Sequence, residues 1–367
     1  MPAERLPALT ARSIAGLATA AAVAVAALPG CNDAEDELPQ AERALPMRDA
    51  YYNGGLEVDD LGLFWSYNNR FALQRGVNVW YWDTWRRDIT FPWHAPSGAV
   101  TLMDDDATHL YLCSPGAVAR APKWGVPGNT GHTNVEREVL TEDDCWEIVV
   151  NGSYVYWVNH LLEEQPDSPQ LAGRWRVDRY DTASGEIVTI LDTGSEGVGR
   201  LVFDAEGRKL YGSAAGGLSE LPTEPGGSVR SISSFDDWPA EEWGWLGNEL
   251  AVDDRYIYWT LLDKASVYAG EDMGAVFRAP LDGTGTWEIF AADQYYPAEA
   301  QYHDGYVYWF VGRDLHSGRL MRQASDSTKA EIVAAGFVTG VNLEFWNGYA
   351  YWADFSHGWF HKARVAP

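Results

Sequence analysis

Leu250-Ala251-Val252-Asp253-Asp254-Arg255-Tyr256-Ile257-Tyr258-Trp259 is the stretch that decides the fold of this 367-residue chain. An apolar alternation runs into a short polar turn and out again into an aromatic and β-branched run, the strongest local pattern for a β-hairpin. The second half recurs as Tyr154-Val155-Tyr156-Trp157, Tyr306-Val307-Tyr308-Trp309 and Tyr349-Ala350-Tyr351-Trp352, each behind its own alternation and turn: IVVNGS, AQYHDG and LEFWNG. Weaker copies lie at 56–65 (LEVDDLGLFW), 100–112 (VTLMDDDATHLYL) and 200–212 (RLVFDAEGRKLYG). The penultimate aromatics Phe64, Tyr111, Tyr156, Tyr211, Tyr258, Tyr308 and Tyr351 stand 47, 45, 55, 47, 50 and 43 residues apart. A four-stranded propeller blade takes about 40 to 50 residues, so the period predicts a β-propeller.

Each unit continues with a second hairpin, clearest in 274–290 (GAVFRAPLDGTGTWEIF) and repeated in 173–191 and 318–333. Beyond the N-terminal apolar run no stretch keeps a 3.6-residue apolar period, so helices should be few. The expected fold is therefore all-β: a seven-bladed β-propeller of four-stranded antiparallel blades over residues 46–367. Six or eight blades are also compatible, because the first, second and fourth copies are degenerate. The last unit stops after a third strand, Trp359 to Val365. Ring closure then needs a strand from elsewhere, and the segment around Leu45 to Tyr52 is expected to supply it.

Residues 1–30 have a different origin. Arg5 and Arg12 precede an apolar run, Ser13 to Ala27, shorter than the roughly 20 residues a membrane-spanning helix needs. Leu28-Pro29-Gly30-Cys31 follows directly and resembles the lipobox of bacterial lipoproteins. That resemblance implies a lipoprotein signal peptide, diacylglycerol and palmitate on Cys31, and an exported protein anchored by lipid alone, periplasmic or at the cell surface. The plainer reading is an ordinary secretory signal with a cysteine by chance. Residues 31–45, acidic and poor in large apolar groups, read as a flexible tether. Cys113 and Cys145 remain, and in an exported protein they form either one disulfide or two buried thiols. A net charge of −26 repels phosphate backbones, which excludes nucleic acid as a partner and favours cationic ones.

Tyr258-Trp259-Thr260 and Tyr351-Trp352-Ala353-Asp354 resemble the YWTD class of propeller repeats found in low-density-lipoprotein-receptor-type domains and in bacterial surface lipoproteins. The likeness touches every unit and is strong in four. It departs in that the complete Tyr-Trp-Thr-Asp string never occurs and such relatives usually have six blades. The resemblance implies a propeller with a tendency toward protein binding, and it brings no catalytic residues with it.

Propellers commonly bind ligands at one mouth of the central channel, built from the loops that enter the innermost strand and those that follow the second. Aligning the four strong units puts Glu147, Glu249, Glu299 and Asn342 at one equivalent position. Such a ring could grip a cation or a basic peptide, since hard cations prefer oxygen ligands; the competing reading is that each caps its own loop. After the second strand come His160, Asp263, Asp314, Asp354 and His357, on loops opening at the same mouth. The Asp and Gly turns, such as Asp253-Asp254 and Asp304-Gly305, are read as turn geometry alone, and Asp104-Asp105-Asp106 lacks the spacing of a calcium loop. Of 18 tryptophans, Trp157, Trp259, Trp309 and Trp352 sit in the repeat and read as inter-blade packing. Trp80, Trp82, Trp85 and Trp93, with Trp238, Trp243 and Trp245, form groups outside it that could stack on sugars, seat a partner or pack loops.

No nucleophile elbow, phosphate loop or zinc-protease motif is present. The sequence thus designates no catalytic residue, no metal ligand and no cofactor. It points to a non-enzymatic envelope scaffold that binds a protein, peptide or glycan at the channel mouth, with a carbohydrate-active hydrolase or lyase using the mouth acids as the alternative.

Overall fold

The computed structural model describes residues 38–46, 51–69, 74–81, 102–123, 137–163, 172–214, 216–235, 243–246, 250–269, 271, 273–312, 318–354 and 358–365. Pro39–Pro367 forms one compact unit. Cys31, the signal segment, Trp82, Trp85, Trp93 and Trp238 lie outside the described residues, as do the side chains of Trp80, Trp243 and Trp245. None of the described helices is long and apolar enough to cross a membrane.

Strand β1 (Glu42–Pro46) is followed by a sheet of β2 (Tyr51–Val58), β3 (Gly62–Asn69) and β4 (Gln74–Tyr81). Blade I holds β5 (Leu102–Asp105), β6 (His109–Ser114), β7 (Ala117–Pro122) and β8 (Glu138–Thr141). Blade II holds β9 (Cys145–Asn151), β10 (Tyr154–Glu163), β11 (Ala172–Asp181) and β12 (Ile187–Gly194). Blade III holds β13 (Val198–Phe203), β14 (Leu210–Ala214), β15 (Gly217–Leu221) and β16 (Arg230–Ser234). In blade IV the innermost strand comes in two pieces, β17 (Trp243–Leu246) and β18 (Ala251–Val252), both pairing with β19 (Tyr256–Asp263); a short helix α1 (Lys264–Ala269), then β20 (Met273–Pro280) and β21 (Glu288–Tyr295), complete it. Blade V holds β22 (Ala298–His303), β23 (Tyr306–Val311), β24 (Gly318–Ala324) and β25 (Glu331–Phe337). Blade VI holds β26 (Gly340–Trp346), β27 (Tyr349–Asp354) and β28 (Trp359–Arg364), with β1 as its outer strand.

The expected count of seven four-stranded blades is corrected to six. Only the six sheets just numbered reach the four strands of a blade among the described residues, while β2, β3 and β4 make a three-stranded sheet. The degenerate first copy therefore gave a hairpin and one further strand. The closing strand is real but lies earlier than expected. β1 runs antiparallel to β28, with Glu42 opposite Lys362 and Pro46 opposite Trp359, so the segment read as tether already belongs to the blade from Glu42 onward. Ala41 N–H donates to Ala335 O and Ala335 N–H to Pro39 O, which ties the same segment to blade V.

Neighbouring strand residues point to opposite sheet faces, and the repeat exploits this. Tyr258 packs with Ala300 and Trp309 of blade V, whereas its sequence neighbour Trp259 packs with Tyr211 and Leu218 of blade III. The same division pairs Tyr111 with Trp157, Tyr308 with Trp352, and Tyr351 with Trp65. Trp157, Trp259, Trp309 and Trp352 are fully buried, as an inter-blade role requires.

A second repeat lies in the third strands. Arg179, Arg278, Arg322 and Lys362 stand opposite Tyr156, Tyr258, Tyr308 and Tyr351 in the ladder, and each stacks its cation on the first tyrosine of its own motif: Tyr154, Tyr256, Tyr306 and Tyr349. The arginines then reach forward. Arg179 donates to Thr223 O at 2.9 Å, Arg278 to Ser325 O at 2.7 Å and Arg322 to Val365 O at 3.2 Å, each acceptor being in the next blade. In blade III the arginine moves to the outer strand, where Arg230 pairs with Glu220 and donates to Leu281 O of blade IV at 2.8 Å.

Replacing a repeat tryptophan should therefore damage the blade seam. Trp259→Ala is expected to cost about 3–5 kcal/mol, against less than about 0.5 kcal/mol for the exposed Ile289→Ala. Guanidinium unfolding of both variants tests this; equal midpoints would contradict the seam role.

Candidate functional site

At the loop end of blade II one bulge places three consecutive residues in three environments. In the β9–β10 ladder Glu147 stands opposite Val158 but Cys145 stands opposite Asn159, so Trp146 is the extra residue. In a regular ladder without the bulge, Cys145 and Glu147 would share a face. With it they part. Cys145 turns to blade I and joins Cys113 in a disulfide, with Cα atoms 5.3 Å apart. Glu147 turns to blade III, where its carboxylate takes a hydrogen bond of 2.7 Å from Arg200 Nη1. Trp146, squeezed out of the ladder, is 55% exposed and is the only aromatic among the exposed large apolar side chains of the described residues.

Its ring is nonetheless supported. His160 lies edge-on at 5.7 Å and Trp175 at 5.6 Å between centroids. His160 and Trp175 face each other across β10 and β11 and stack at 4.1 Å. A Cβ on Gly173 would come within 2.0 Å of His160 Nε2, so glycine at that position lets the imidazole lie flat. Burial lowers the His160 pKa, with Asp144 pulling the other way. The loop that joins β8 to β9 and enters this corner reads Glu142-Asp143-Asp144. Asp143 is engaged with Arg176 at 2.7 Å, while among the described residues no cation pairs with Glu142 or Asp144.

Of the mouth residues expected from the repeat, Glu147 is paired in its ladder opposite Val158, whereas Glu299 and Asn342 fall in bulges. Glu147, 8% exposed, spends its charge on Arg200. Glu299 and Asn342 occupy matching bulges in β22 and β26, both with left-handed backbones (φ 53° and 54°). Asp263 caps α1 by accepting the Ala265 N–H at 2.8 Å. Asp354 is fully buried, accepts the Val338 N–H at 3.2 Å, and lies 3.4 Å from His361 Nε2. Glu249, Asp314 and His357 lie outside the described residues. The Asp turns are structural as expected: Asp253 accepts the Arg255 and Tyr256 N–H groups with one oxygen and the Tyr258 hydroxyl with the other.

Two further features were not legible in advance. Glu57 of β2 and Asp104 and Asp105 of β5 bring carboxylate oxygens within 4.8 Å of one another. Beside them Lys123, 1% exposed, ion-pairs with Asp59 and Asp105 and so links blade I to the three-stranded sheet. Burial, reinforced by Glu344 and Asp104, drives the Glu57 pKa well above its usual range. Burial likewise lifts Asp104 to about 7, against the hydrogen bond it takes from Val150 N–H, and Asp105 to about 6 against Lys123. The oxygen set suits a hard cation, but the lysine already supplies positive charge there. The second feature is a cavity of about 740 Å³ at the turn end between blades III and IV. Its cations are committed within the fold: Arg208 to Glu206, Lys209 and Arg230 to Glu220, and Arg255 to Asp254.

No family model and no curated protein matches the chain. Solved structures do resemble it. An oligogalacturonate lyase from Vibrio parahaemolyticus aligns over 88% of this chain and 91% of its own at 13% identity and a TM-score of 0.52. BamB from Moraxella catarrhalis aligns over 88% and 99% at 11% and 0.50. A puromycin-hydrolyzing peptidase from Mycobacterium tuberculosis gives 11% and 0.54 over 90% of this chain, which spans 56% of that protein. At such identities the likeness is one of fold, and the fold hosts enzymes and other proteins alike.

The raised carboxyls carry a pH signature. Because the folded chain holds protons on Asp104 and Asp105 that the unfolded chain releases near its ordinary value of 3.8, the contribution of these two groups to stability is fully present below that value and is lost as pH rises toward 7. Asp104→Asn keeps an acceptor for Val150 N–H and should flatten this decline, leaving the variant more stable than the parent at pH 8. Urea unfolding from pH 4 to 8 checks it; a variant less stable at every pH would refute the assignment.

Proposed function

We propose that the chain is a non-enzymatic binding scaffold of the cell envelope, exported and lipid-anchored through Cys31, which engages a partner protein or peptide at the loop end of the propeller. The observation that carries this reading is Trp146, expelled from its strand and held half in solvent on a rigid aromatic base. An exposed aromatic fixed by its neighbours loses little conformational freedom on binding and contributes large apolar area. Loops at one end of a rigid scaffold are also where recognition usually resides. The Leu28-Pro29-Gly30-Cys31 string supports the anchor.

A carbohydrate-active enzyme at the same mouth is disfavoured. Its best-placed acid, Glu147, is neutralised by Arg200, and glycosidase or lyase chemistry needs carboxyl groups available to the substrate. A glycan remains a competing ligand for the aromatic surface.

Two measurements test the reading. Cys31→Ala should move the protein from the detergent phase to the aqueous phase on phase separation and abolish palmitate labelling; an unchanged distribution would remove the anchor from the proposal. The intact protein should release neither reducing ends nor unsaturated products from oligogalacturonate and other polysaccharides, and turnover on any of them would overturn the non-enzymatic assignment.

A further inference from the structure

We infer that the Trp146 corner is built for a basic segment of a protein partner, a lysine or arginine cation lying on the indole with Glu142 and Asp144 beside it. The inference rests on the binding role proposed above and specifies its chemistry.

Trp146 offers an electron-rich face, the best of the aromatic side chains for a cation. The arginines near this corner are already matched: Arg174 by Asp192, Arg176 by Asp143 and Asp178, Arg200 by Glu147. Glu142 and Asp144, with no cation paired to them among the described residues, therefore leave an excess of negative charge on the loop that leads into Trp146, Asp144 acting on His160 directly. His160 adds no competing cation at neutral pH, since burial favours its uncharged form. The whole chain, at −26, draws cations toward itself and repels acidic glycans and phosphorylated ligands. The indole stands 77° to the imidazole and 59° to Trp175, propped on the stacked His160–Trp175 pair rather than closed in a cage. An extended segment can pass such an exposed ring, with one basic side chain over Trp146.

The corner is also rigid on both sides. The disulfide at Cys145 fixes it to blade I and the Glu147–Arg200 pair to blade III. Binding there costs little reorganisation, so affinity should depend directly on the indole and the two carboxylates.

Fluorescence anisotropy of labelled octa-arginine with the full chain tests the inference, with octa-glutamate and cellotetraose as comparisons. Octa-arginine should bind, and Trp146→Ala should weaken it about fivefold, the equivalent of a surface cation–π contact. Glu142→Gln with Asp144→Asn should weaken it similarly and reduce its salt dependence. Removing two carboxylates at the opposite end, Asp254→Asn with Asp282→Asn, should leave it within about twofold. Trp146 is exposed, so an unchanged melting temperature verifies that the variant is folded. Equal binding by Trp146→Ala and parent, or Trp146-dependent binding of cellotetraose instead, would overturn the inference. If an envelope protein is captured in a Trp146-dependent way that octa-arginine cannot compete, the basic chemistry fails while the binding role stands. If nothing depends on Trp146, both fail.

Discussion

The structure depends on one geometric fact: a tyrosine and a tryptophan adjacent in a strand must face opposite sides of the sheet. In Tyr258-Trp259 and its copies the two rings are too large to remain solvated on either side. Each blade therefore needs a neighbour on both faces. An isolated blade would expose two aromatic surfaces, and a sandwich would cover only one. Radial repetition covers both, provided the series closes. Closure falls to β1, whose pairing with β28 joins the start of the described domain to its end. The seam is reinforced by arginines that stack on one tyrosine, pair with an outer-strand glutamate and donate to a carbonyl of the next blade.

This economy explains how an acidic chain remains compact. With 53 acidic residues against 27 lysines and arginines, cations are scarce. The structure commits many of them to seams: Arg278 and Arg322 between outer strands, Arg200 between innermost ones, and Lys123 between the three-stranded sheet and blade I. Many aspartates serve backbone rather than solvent. Asp59, Asp106, Asp204 and Asp253 each accept two turn N–H groups with a single oxygen. Their charge is locally compensated by those amides, which is why a turn can be both acidic and tight.

The hairpins and the Tyr-Trp division were legible in the sequence because both follow from periods of two and about 47 residues. So was the need for a closing strand, because the last unit visibly lacked one. The blade count was not. Counting aromatic markers treats Phe64-Trp65 as a full unit, and Trp65 does pack like its counterparts, yet its sheet has three described strands. The third-strand arginines were equally visible as letters, but their meaning lies in cross-strand register, which repeats of single strands do not reveal. The mouth acids illustrate a different limit. Glu147, Glu299 and Asn342 align in sequence, but Glu147 is paired in its ladder while the other two sit in bulges, and the partner of Glu147 is Arg200, in a degenerate unit. The cluster of Glu57, Asp104 and Asp105 joins two distant strands and has no local pattern at all.

The bulge at Trp146 shows how a repetitive framework acquires an individual site without weakening the ring. Along a regular strand, exposing one residue forces its two neighbours onto a common face, so a gain for recognition would be a loss for one seam. Inserting a residue removes that conflict: Cys145 serves the seam to blade I, Glu147 serves the seam to blade III, and the indole between them answers to neither. β22 and β26 also carry bulges, but theirs fall opposite Trp309 and Trp352 and hold the left-handed residues Glu299 and Asn342, whereas the bulge of blade II falls beyond Trp157, between Val158 and Asn159. Blade II thus interrupts its ladder at a different point, and the residue inserted there is an indole. An indole cannot be folded back into a seam already filled by a disulfide and an ion pair, and its exposure follows from the packing around it.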